Sequence, residues 1–458
     1  MTLPSDFILR TRELLGNNLA LLEAALQTEV PVSIRLNTTK ADNALEYEKV
    51  SWCETGYYLP ERAPFTFDPL FHAGGYYVQE ASSMFLEQAV GRHIQGAVKC
   101  LDLCAAPGGK STHLANILPE GSLLVSNEII RNRSHILMEN MTKWGKPDTI
   151  VANANPADFG LLTHFFDVMV ADVPCSGEGM FRKDPNSMNE WSVTNVTLCA
   201  ARQRKILQDA WNTLKPGGIL VYSTCTYNTE ENEDNIHYIA ETLGATPLDV
   251  SVPNEWGITG ALKYDFPVYR FFPHKTKGEG FFLAVLRKNE TDSIPLKYKS
   301  AKEKKKKNSL PPAEVRQWLA EPDRFIVEMA DTMIRAIPCH YREEYSFLSS
   351  RIHLVSAGIC LGEVKGKDIV PSQSLAMSLA LNKKSFYIQE LTWEEAIKYL
   401  KKETFPIPAN TPKSHILLTY KSLPLGFAKH LGNRINNLYP QEWKIRTTYL
   451  PADKPTVI

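Results

Sequence analysis

Between residues 98 and 288, short apolar runs alternate with stretches of helical periodicity, and this alternation restricts the fold more than any other feature of the chain. Five runs have the length and composition of strands: VKCLDLC, SLLVSN, DTIVAN, FDVMVAD and ILVYSTC. Strands that alternate with helices predict an α/β fold with a Rossmann-like, doubly wound parallel sheet. The closing pair VYRFFPH and GEGFFLAVLRK predicts an antiparallel hairpin at its edge.

The rest of the chain divides around this central unit. Composition predicts an N-terminal α+β extension (1–70), the central unit itself (71–288), a Lys- and Pro-rich linker (289–312), an intermediate domain (313–387) and a compact C-terminal α+β module (388–458). The linker prediction depends on the segment NETDSIPLKYKSAKEKKKKNSLPP, in which the strand and helix patterns stop.

The charge of the 458-residue chain is zero overall but is divided unevenly. Residues 1–286 hold 23 Lys and Arg against 33 Asp and Glu, whereas residues 287–458 hold 28 against 18. A basic C-terminal part on an acidic N-terminal part predicts that one region holds the chemistry and the other contacts a polyanion.

Several classes of protein are not expected. No apolar run approaches the roughly 18 residues of a membrane span, and the first residues lack the apolar core of a secretion signal. The eight cysteines form no C-x-x-C pair, which favours a reducing cytoplasm over a disulfide scaffold. Because the histidines show neither H-E-x-x-H nor Cys/His spacing, the motifs predict no metal.

The first strand leads into a turn of small residues and then into the helix STHLANIL. The turn consists of Cys104, Ala105, Ala106, Pro107, Gly108, Gly109 and Lys110. Paired glycines let a backbone approach a ligand closely, and the start of a helix offers unpaired N–H groups. A P-loop would need glycine at position 104, and the dinucleotide pattern G-x-G-x-x-G is absent. An S-adenosylmethionine site remains as the prediction.

Two further polar residues support a nucleoside cofactor. Glu128 follows the second strand, where a carboxylate can accept hydrogen bonds from both ribose hydroxyls. Asn155 follows the third strand, and we expect its side chain to hydrogen-bond the adenine edge.

Two cysteines stand at two strand ends. The fourth strand ends in Asp172-Val-Pro-Cys175, and the fifth ends in Ser-Thr-Cys225. Both cysteines should face the glycine turn, because ligands bind outside the carboxyl ends of parallel strands. A thiolate that adds to carbon 6 of cytosine makes carbon 5 nucleophilic, and a second thiol can assist release. Asp172 is placed to stabilise charge at N3 of the base. Chemistry alone does not decide which cysteine attacks.

Together these segments resemble the Nol/Nop/Sun (RsmB/RsmF) family of RNA cytosine-5 methyltransferases over nearly the whole chain. The resemblance lies in PVSIRLNT, GGYYVQEASSM, LDLCAAPGGKSTHLA, ADVPCSGEGMFRKDP, LKPGGILVYSTCTYNTEENE and RFFPHKTKGEGFF. It implies the class I methyltransferase fold, with Cys225 as nucleophile, Cys175 for product release and Asp172 beside the target base. It also implies that residues 104–110, Glu128, Asn155 and Asp172 line S-adenosylmethionine. Position 155 departs from the pattern, because the family often has Asp there.

The C-terminal part resembles the RsmF-type extension with its PUA-like RNA-binding module. This resemblance is carried by LGEVKGKDIVPSQSLAMSLA and LPLGFAKHLGNRINNLYPQEWKIR. Basic residues alternate there with aromatic ones: Lys421, Lys429, Arg434, Lys444 and Arg446 with Phe427, Tyr439 and Trp443. Phosphate contacts and stacking surfaces suit RNA. The resemblance implies an enzyme acting on 16S ribosomal RNA, and we expect it to be a monomer. A tRNA cytosine-5 methyltransferase and an inactive RNA-binding assembly factor are the alternatives.

Overall fold

The computed structural model describes residues 3–41, 45–290 and 311–458. Most of the predicted linker, residues 291–310, lies outside these described residues. Among the helices of the described ranges, none has both the length and the apolar character that a bilayer span requires.

The N-terminal segment forms a small three-stranded antiparallel sheet with helices around it. Its strands are β1 (Val32–Leu36), β2 (Gly56–Leu59) and β3 (Tyr76–Val78), in the order β2-β1-β3. Its helices are α1 (Ser5–Leu15), α2 (Leu19–Ala25), α3 (Pro69–His72) and α4 (Leu86–His93). The segment QEASSMFLEQAVGRH forms a 3-10 turn over Ser82–Phe85 before α4 begins.

The central unit is the predicted Rossmann-like sheet. Its strands are β4 (Lys99–Asp102), β5 (Leu123–Asn127), β6 (Thr149–Ala152), β7 (Phe166–Asp172), β8 (Leu214–Thr224), β9 (Ala245–Leu248), β10 (Val268–Phe271) and β11 (Phe281–Lys288). Strands β8, β7, β4, β5 and β6 run parallel in that order, and β11 and β10 follow β8 as the predicted antiparallel hairpin. Strand β9 pairs with β11. The strands read as continuous apolar runs because helices cover both faces of such a sheet.

The helices of the central unit lie between the strands. They are α5 (Gly109–Ile117), α6 (Arg131–Trp144), α7 (Pro156–Gly160), α8 (Pro185–Glu190), α9 (Val193–Ala210) and α10 (Glu233–Glu241). Helix α5 begins inside the glycine turn, so its first N–H groups point towards the ends of the strands. Cys100 and Cys199 are buried among apolar side chains and belong to the core.

The intermediate segment adds a strand to the catalytic sheet. Its elements are β12 (Phe325–Ala330), β13 (Met333–Pro338), α11 (Arg342–Ser349), β14 (Leu354–Ala357), β15 (Ile359–Lys365), β16 (Asp368–Pro371) and α12 (Gln373–Met377). Strands β12, β13, β15 and β16 form their own antiparallel sheet. Strand β14 pairs antiparallel with β6 and completes the other edge of the central sheet.

The C-terminal module shares a hydrophobic core with the N-terminal segment. Its elements are β17 (Tyr387–Glu390), α13 (Trp393–Leu400), β18 (His415–Tyr420), β19 (Leu423–His430) and β20 (Ile435–Asn437). Ile34 and Tyr76 from the N-terminal segment pack in one cluster with Ile416 and Leu400 from the module. The indole of Trp393 also donates a hydrogen bond to the carbonyl of Phe67 at 2.9 Å.

Candidate functional site

The carboxyl ends of β4 and β7 meet the glycine turn around a cavity of about 180 Å³. Its lining includes Asp102 at the end of β4, Asp172 at the end of β7, and Lys110 of the turn. The N-terminal segment closes one side with Tyr77 and Gln79. A predicted cofactor turn and a predicted catalytic residue therefore lie in the same crevice, as expected for strand ends in a parallel sheet.

Helix α6 holds the glycine turn through its backbone carbonyls. Arg133 donates to the carbonyl of Ala106, and Asn140 donates to that of Pro107, each at 2.8 Å. Gly108 has a φ of 115°, and a Cβ there would lie 3.2 Å from the Leu137 side chain. A residue with a side chain would therefore be strained at this position, which explains the first glycine of the pair.

Asp102 is a site residue that sequence reasoning did not single out. Its Oδ2 accepts a hydrogen bond from the Ser111 hydroxyl at 2.6 Å, and its buried Oδ1 has no hydrogen-bond partner among the described residues. Burial raises the pKa of this carboxyl to about 7. The available signal was an acid as the last residue of the first strand, in LDLC. Such a carboxylate suits a ligand that brings a cation or an N–H group.

Glu128 and Asn155 both have internal partners. The buried Glu128 carboxylate accepts a hydrogen bond from Ile130 N at 2.9 Å and lies 3.3 Å from Arg133 Nη1. Asn155 is exposed, and its side chain caps α7 by accepting from Ala157 N at 3.1 Å. The structure thus gives Asn155 a local role in starting the helix, and its contact with adenine stays a prediction.

Asp172 and Lys110 form an ion pair at the inner end of the cavity. Lys110 Nζ lies 2.8 Å from Asp172 Oδ2, and the Ser223 hydroxyl donates to Asp172 Oδ1 at 2.7 Å. Burial alone lowers the pKa of the Lys110 ammonium, but the neighbouring Asp172 and Asp102 carboxylates outweigh it and raise that pKa. Lys110 is therefore charged, and both oxygens of Asp172 accept hydrogen bonds.

The two predicted cysteines contact each other. Cys175 Sγ lies 3.1 Å from Cys225 Sγ, and the backbone N–H of Cys225 points to Cys175 Sγ at 3.4 Å. The hydrogen bond with Cys225 and burial together raise the pKa of the Cys175 thiol well above its usual value. Cys175 therefore keeps its proton at neutral pH. The structure brings together thiols that are 50 residues apart in the sequence.

A buried carboxylate, Glu178, joins the two cysteine loops, and the sequence analysis did not single it out. Its Oε2 accepts hydrogen bonds from Thr226 Oγ1, Tyr227 N and Asn228 N at 2.6, 2.8 and 2.9 Å. Its Oε1 accepts from the Trp191 indole at 3.0 Å. Because the loop that follows Cys225 is held by an acid of the Cys175 loop, the relative position of the two thiols is fixed. The only sequence signal was an acid between two glycines in SGEGM.

A second acid, Glu231, also holds the loop of Cys175. Glu230, Glu231 and Glu233 suit the dipole at the start of a helix, but each has a specific partner. Glu231 Oε2 accepts from Ser176 N at 3.0 Å and from Gln203 Nε2 at 2.7 Å. Glu233 pairs with the buried Arg270, and Glu230 pairs with Arg10. Glu233 also stands in the first turn of α10, so its partner contact adds to a favourable position at the helix start.

The C-terminal aromatic residues are less available than predicted. Phe427 and Tyr439 are buried in the module, each with about 1% exposure, so they cannot stack on RNA bases. Trp443 is partly exposed, and Arg434 and Arg446 are exposed. Lys429 pairs with Asp368. Residues 425–428 of β19 are buried in succession, so Phe427 belongs to the core although Lys429 follows it closely in the sequence.

Comparison with known families and proteins accounts for nearly the whole chain. The family described as 16S rRNA methyltransferase RsmB/F matches residues 93–287. The N-terminal domain of 16S rRNA methyltransferase RsmF matches residues 3–81, and the methyltransferase RsmF PUA domain matches residues 386–445.

Individual relatives agree with these matches. The ribosomal RNA small subunit methyltransferase F of Aliivibrio fischeri (strain MJ11) is 31% identical, and the alignment covers 96% of this chain and 97% of that protein. The protein of the same name from Pectobacterium atrosepticum is 30% identical over 96% of both chains. A solved methyltransferase homologue from Pyrococcus horikoshii is 26% identical, with a TM-score of 0.53 over 62% of this chain and 95% of that one.

Proposed function

The chain belongs to the RsmB/RsmF family of S-adenosylmethionine-dependent RNA methyltransferases, and from this premise we propose that it methylates carbon 5 of a cytosine in 16S ribosomal RNA. The observation that carries the cytosine-5 assignment is the pair of thiols 3.1 Å apart beside the strand-end cavity. A methyltransferase that modifies an amino group needs no thiol, whereas carbon 5 of cytosine must first be activated by a nucleophile.

The residues around the glycine turn fit S-adenosylmethionine, which supplies an electrophilic methyl group when bound. Asp102 offers a buried oxygen to which no group in the described part of the chain donates, and this oxygen suits the ammonium group of an amino acid. Residues 104–107, Gly109 and Lys110 of the turn line the same cavity. We assign Glu128, at the end of the next strand, to the ribose hydroxyls.

We assign the nucleophile to Cys225. Its thiolate forms a bond to carbon 6 of the ring, and the pair of electrons released makes carbon 5 nucleophilic. After carbon 5 has gained the methyl group it loses its proton, the bond between carbon 6 and Sγ breaks, and the double bond re-forms. The raised pKa of Cys175 suits a thiol that takes part in proton transfer during this release.

Asp172 and Lys110 act together at the base. Asp172 accepts from Ser223 and from Lys110, so the proton of the pair is on the ammonium. We therefore assign Lys110 to stabilise the negative charge that develops on the ring after nucleophilic addition, with Asp172 holding it in place. This refines the sequence prediction, in which Asp172 itself supplied the acid.

Covalent trapping tests the proposal. Cys175→Ala should leave the enzyme attached to RNA and give a slowly migrating band on denaturing gels, because addition occurs but release is blocked. The band should be absent in Cys225→Ala and in the double variant. Retained methyl transfer by Cys225→Ala, measured with radiolabelled cofactor, would contradict the assignment, and an adduct that persists without Cys225 would reverse the two roles.

The RNA substrate requires a separate measurement. Purified 16S RNA and whole small subunits from cells that lack the gene should accept a methyl group, and bisulfite sequencing should locate it on cytosine. Transfer RNA from the same cells is the control. Methylation of transfer RNA alone would favour the alternative substrate, and no methylation of any RNA would favour the inactive assembly factor.

A further inference from the structure

Three side chains that can bind a metal meet outside the catalytic site. Cys53 lies in the connection between β1 and β2, Glu87 in the first turn of α4, and His113 in α5. Their Sγ, carboxylate oxygen and ring nitrogen all lie within 4.8 Å of one another. Cys53 and His113 are buried, and the Glu87 side chain keeps 15% of its exposure.

The distances between these atoms match those between the ligands of one metal ion. Glu87 Oε2 lies 3.1 Å from Cys53 Sγ and 3.0 Å from His113 Nε2, and Sγ lies 3.8 Å from Nε2. Tetrahedral zinc bound by sulfur, nitrogen and oxygen at their usual bond lengths places such ligand atoms about 3.3–3.6 Å apart. Each separation needs to change by only about 0.2–0.5 Å, so the site needs little rearrangement.

The arrangement is unlike a nucleophile–base–acid relay. In a relay, histidine contacts the thiol with one ring nitrogen and the acid with the other. Here the same atom, His113 Nε2, faces both Cys53 and Glu87. The Cys53 thiol also donates to Glu87 Oε2, so the histidine does not stand between the thiol and the acid. Three groups that face a common centre form a ligand set.

We propose that Cys53, Glu87 and His113 bind a Zn²⁺ ion, with the fourth position open to solvent on the side of Glu87. Thiolate, imidazole and carboxylate are the ligands that zinc takes in proteins. The thiolate and the carboxylate together balance the charge of the dication. The three residues are distant in sequence, which is why motif spacing gave no sign of a metal.

The ion would have a structural role. His113 lies on α5, whose first residues belong to the glycine turn, whereas Cys53 lies in the connection between β1 and β2 of the N-terminal segment. Zinc therefore joins the N-terminal segment to the helix that carries the cofactor turn. Because this role does not involve the target base, the proposal is independent of the cytosine-5 assignment.

Cobalt(II) substitution of the full-length protein tests the site. The protein is treated with EDTA, dialysed, and titrated with Co²⁺, whose bond to a thiolate gives a charge-transfer band in the near ultraviolet. We expect one equivalent to bind with this band, Zn²⁺ to displace it, and Zn²⁺ to raise the Tm of the wild-type protein. No band in the wild-type protein, or no effect of Zn²⁺ on Tm, would overturn the proposal.

Variants separate this site from the other thiols. Cys53→Ser and Glu87→Gln should lose the band and the Zn²⁺-dependent rise in Tm, whereas Cys339→Ser, which alters an exposed cysteine, should keep both. The Cys175→Ala/Cys225→Ala variant should also keep both. A band that survives Cys53→Ser but is lost in the double variant would place the metal at the catalytic thiols and refute the proposal. If Cys53→Ser does not fold, Glu87→Gln and Cys175→Ala/Cys225→Ala still show which of the two sites binds the metal.

Discussion

The two sides of the strand-end site are held in different ways. On the thiol side, buried carboxylates of Glu178 and Glu231 accept several hydrogen bonds each and connect the loops of the two cysteines. On the cofactor side, α6 holds two carbonyls of the glycine turn, and one buried oxygen of Asp102 has no partner in the described ranges. Within the described residues, both carboxylates of the thiol side thus have their hydrogen-bond donors, whereas the cofactor side has an acceptor that a ligand can satisfy.

The largest effect is expected from Glu178→Gln, which tests whether the thiol side is fixed in advance. Gln has one acceptor oxygen where Glu178 uses two, so the loop after Cys225 should move. A displacement of about 1 Å costs roughly 100-fold in rate. We expect kcat to fall by about that factor with the Kd for S-adenosylmethionine unchanged. Glu190→Gln, at an exposed position, is the control. An unchanged kcat would show that the loop keeps its position without Glu178.

Asp102→Asn tests the cofactor side. Loss of a charge-assisted hydrogen bond costs about 1.5–3 kcal/mol, which corresponds to roughly 10–100-fold weaker binding of S-adenosylmethionine. Calorimetry measures this affinity. The thiol side is tested by comparing the amount of covalent RNA adduct that forms in Cys175→Ala and in Cys175→Ala/Asp102→Asn. If both measurements change together, the two sides of the site are not independent.

The same variant should change the dependence of stability on pH. Burial raises the pKa of Asp102 from 3.8 to about 7, so between these values the folded chain binds a proton that the unfolded chain has lost. The contribution of Asp102 to the free energy of unfolding therefore falls as the pH rises from about 4 to about 7. In urea titrations, the free energy of unfolding of Asp102→Asn, taken relative to that of the wild-type protein, should therefore rise between pH 5 and pH 8. A constant difference would show that Asp102 ionises normally.

Glu128→Ala and Asn155→Ala form a matched pair on the cofactor side. Glu128 is buried beside Arg133, and we expect its loss to weaken S-adenosylmethionine binding by about tenfold, because one charged acceptor is removed. Asn155 already caps α7, so its replacement should lower stability by about 1 kcal/mol. Calorimetry and thermal unfolding distinguish the two effects. Equal changes in affinity would show that both side chains contact the cofactor.

The smallest effect is expected at the C-terminal module. Arg434→Gln and Arg446→Gln remove exposed charges. Each should lower the slope of log K for RNA binding against log salt concentration by about one, because one counterion fewer is released. Lys429→Gln is the matched control, because Lys429 already pairs with Asp368. An identical salt slope for all three variants would show that the basic surface does not contact phosphate.

The sequence predicted what depends on local pattern and strand order. The strand alternation predicted the sheet and its antiparallel hairpin β10–β11, and the strand-end motifs predicted that Cys175 and Cys225 lie on the same side of the sheet, where their thiols contact each other. These features follow from one rule, that ligands bind at the carboxyl ends of parallel strands. The position of Asp172 beside the turn follows from the same rule.

Features that depend on tertiary contacts were not predictable in this way. Strand β14 joins the central sheet from about 200 residues away along the chain, and no local pattern specifies its partner β6. The local sequence around Glu178 suggests an exposed acid, whereas in the fold the loop that follows Cys225 buries it. Basic residues near Phe427 and Tyr439 in the sequence suggest that these aromatic side chains are exposed. Whether a side chain is buried depends instead on which face of its element packs against the core.

The shared core of the N-terminal segment and the C-terminal module has a consequence for biosynthesis. The apolar face that contains Ile34 and Tyr76 is covered by residues 391–458, which leave the ribosome long after it does. The edge of β6 likewise stays open until β14 is made. A nascent chain therefore carries an exposed apolar surface and an unpaired strand edge through most of its synthesis, which are the features that chaperones bind. Truncated chains that end before residue 391 should aggregate, even though they contain every residue assigned to catalysis.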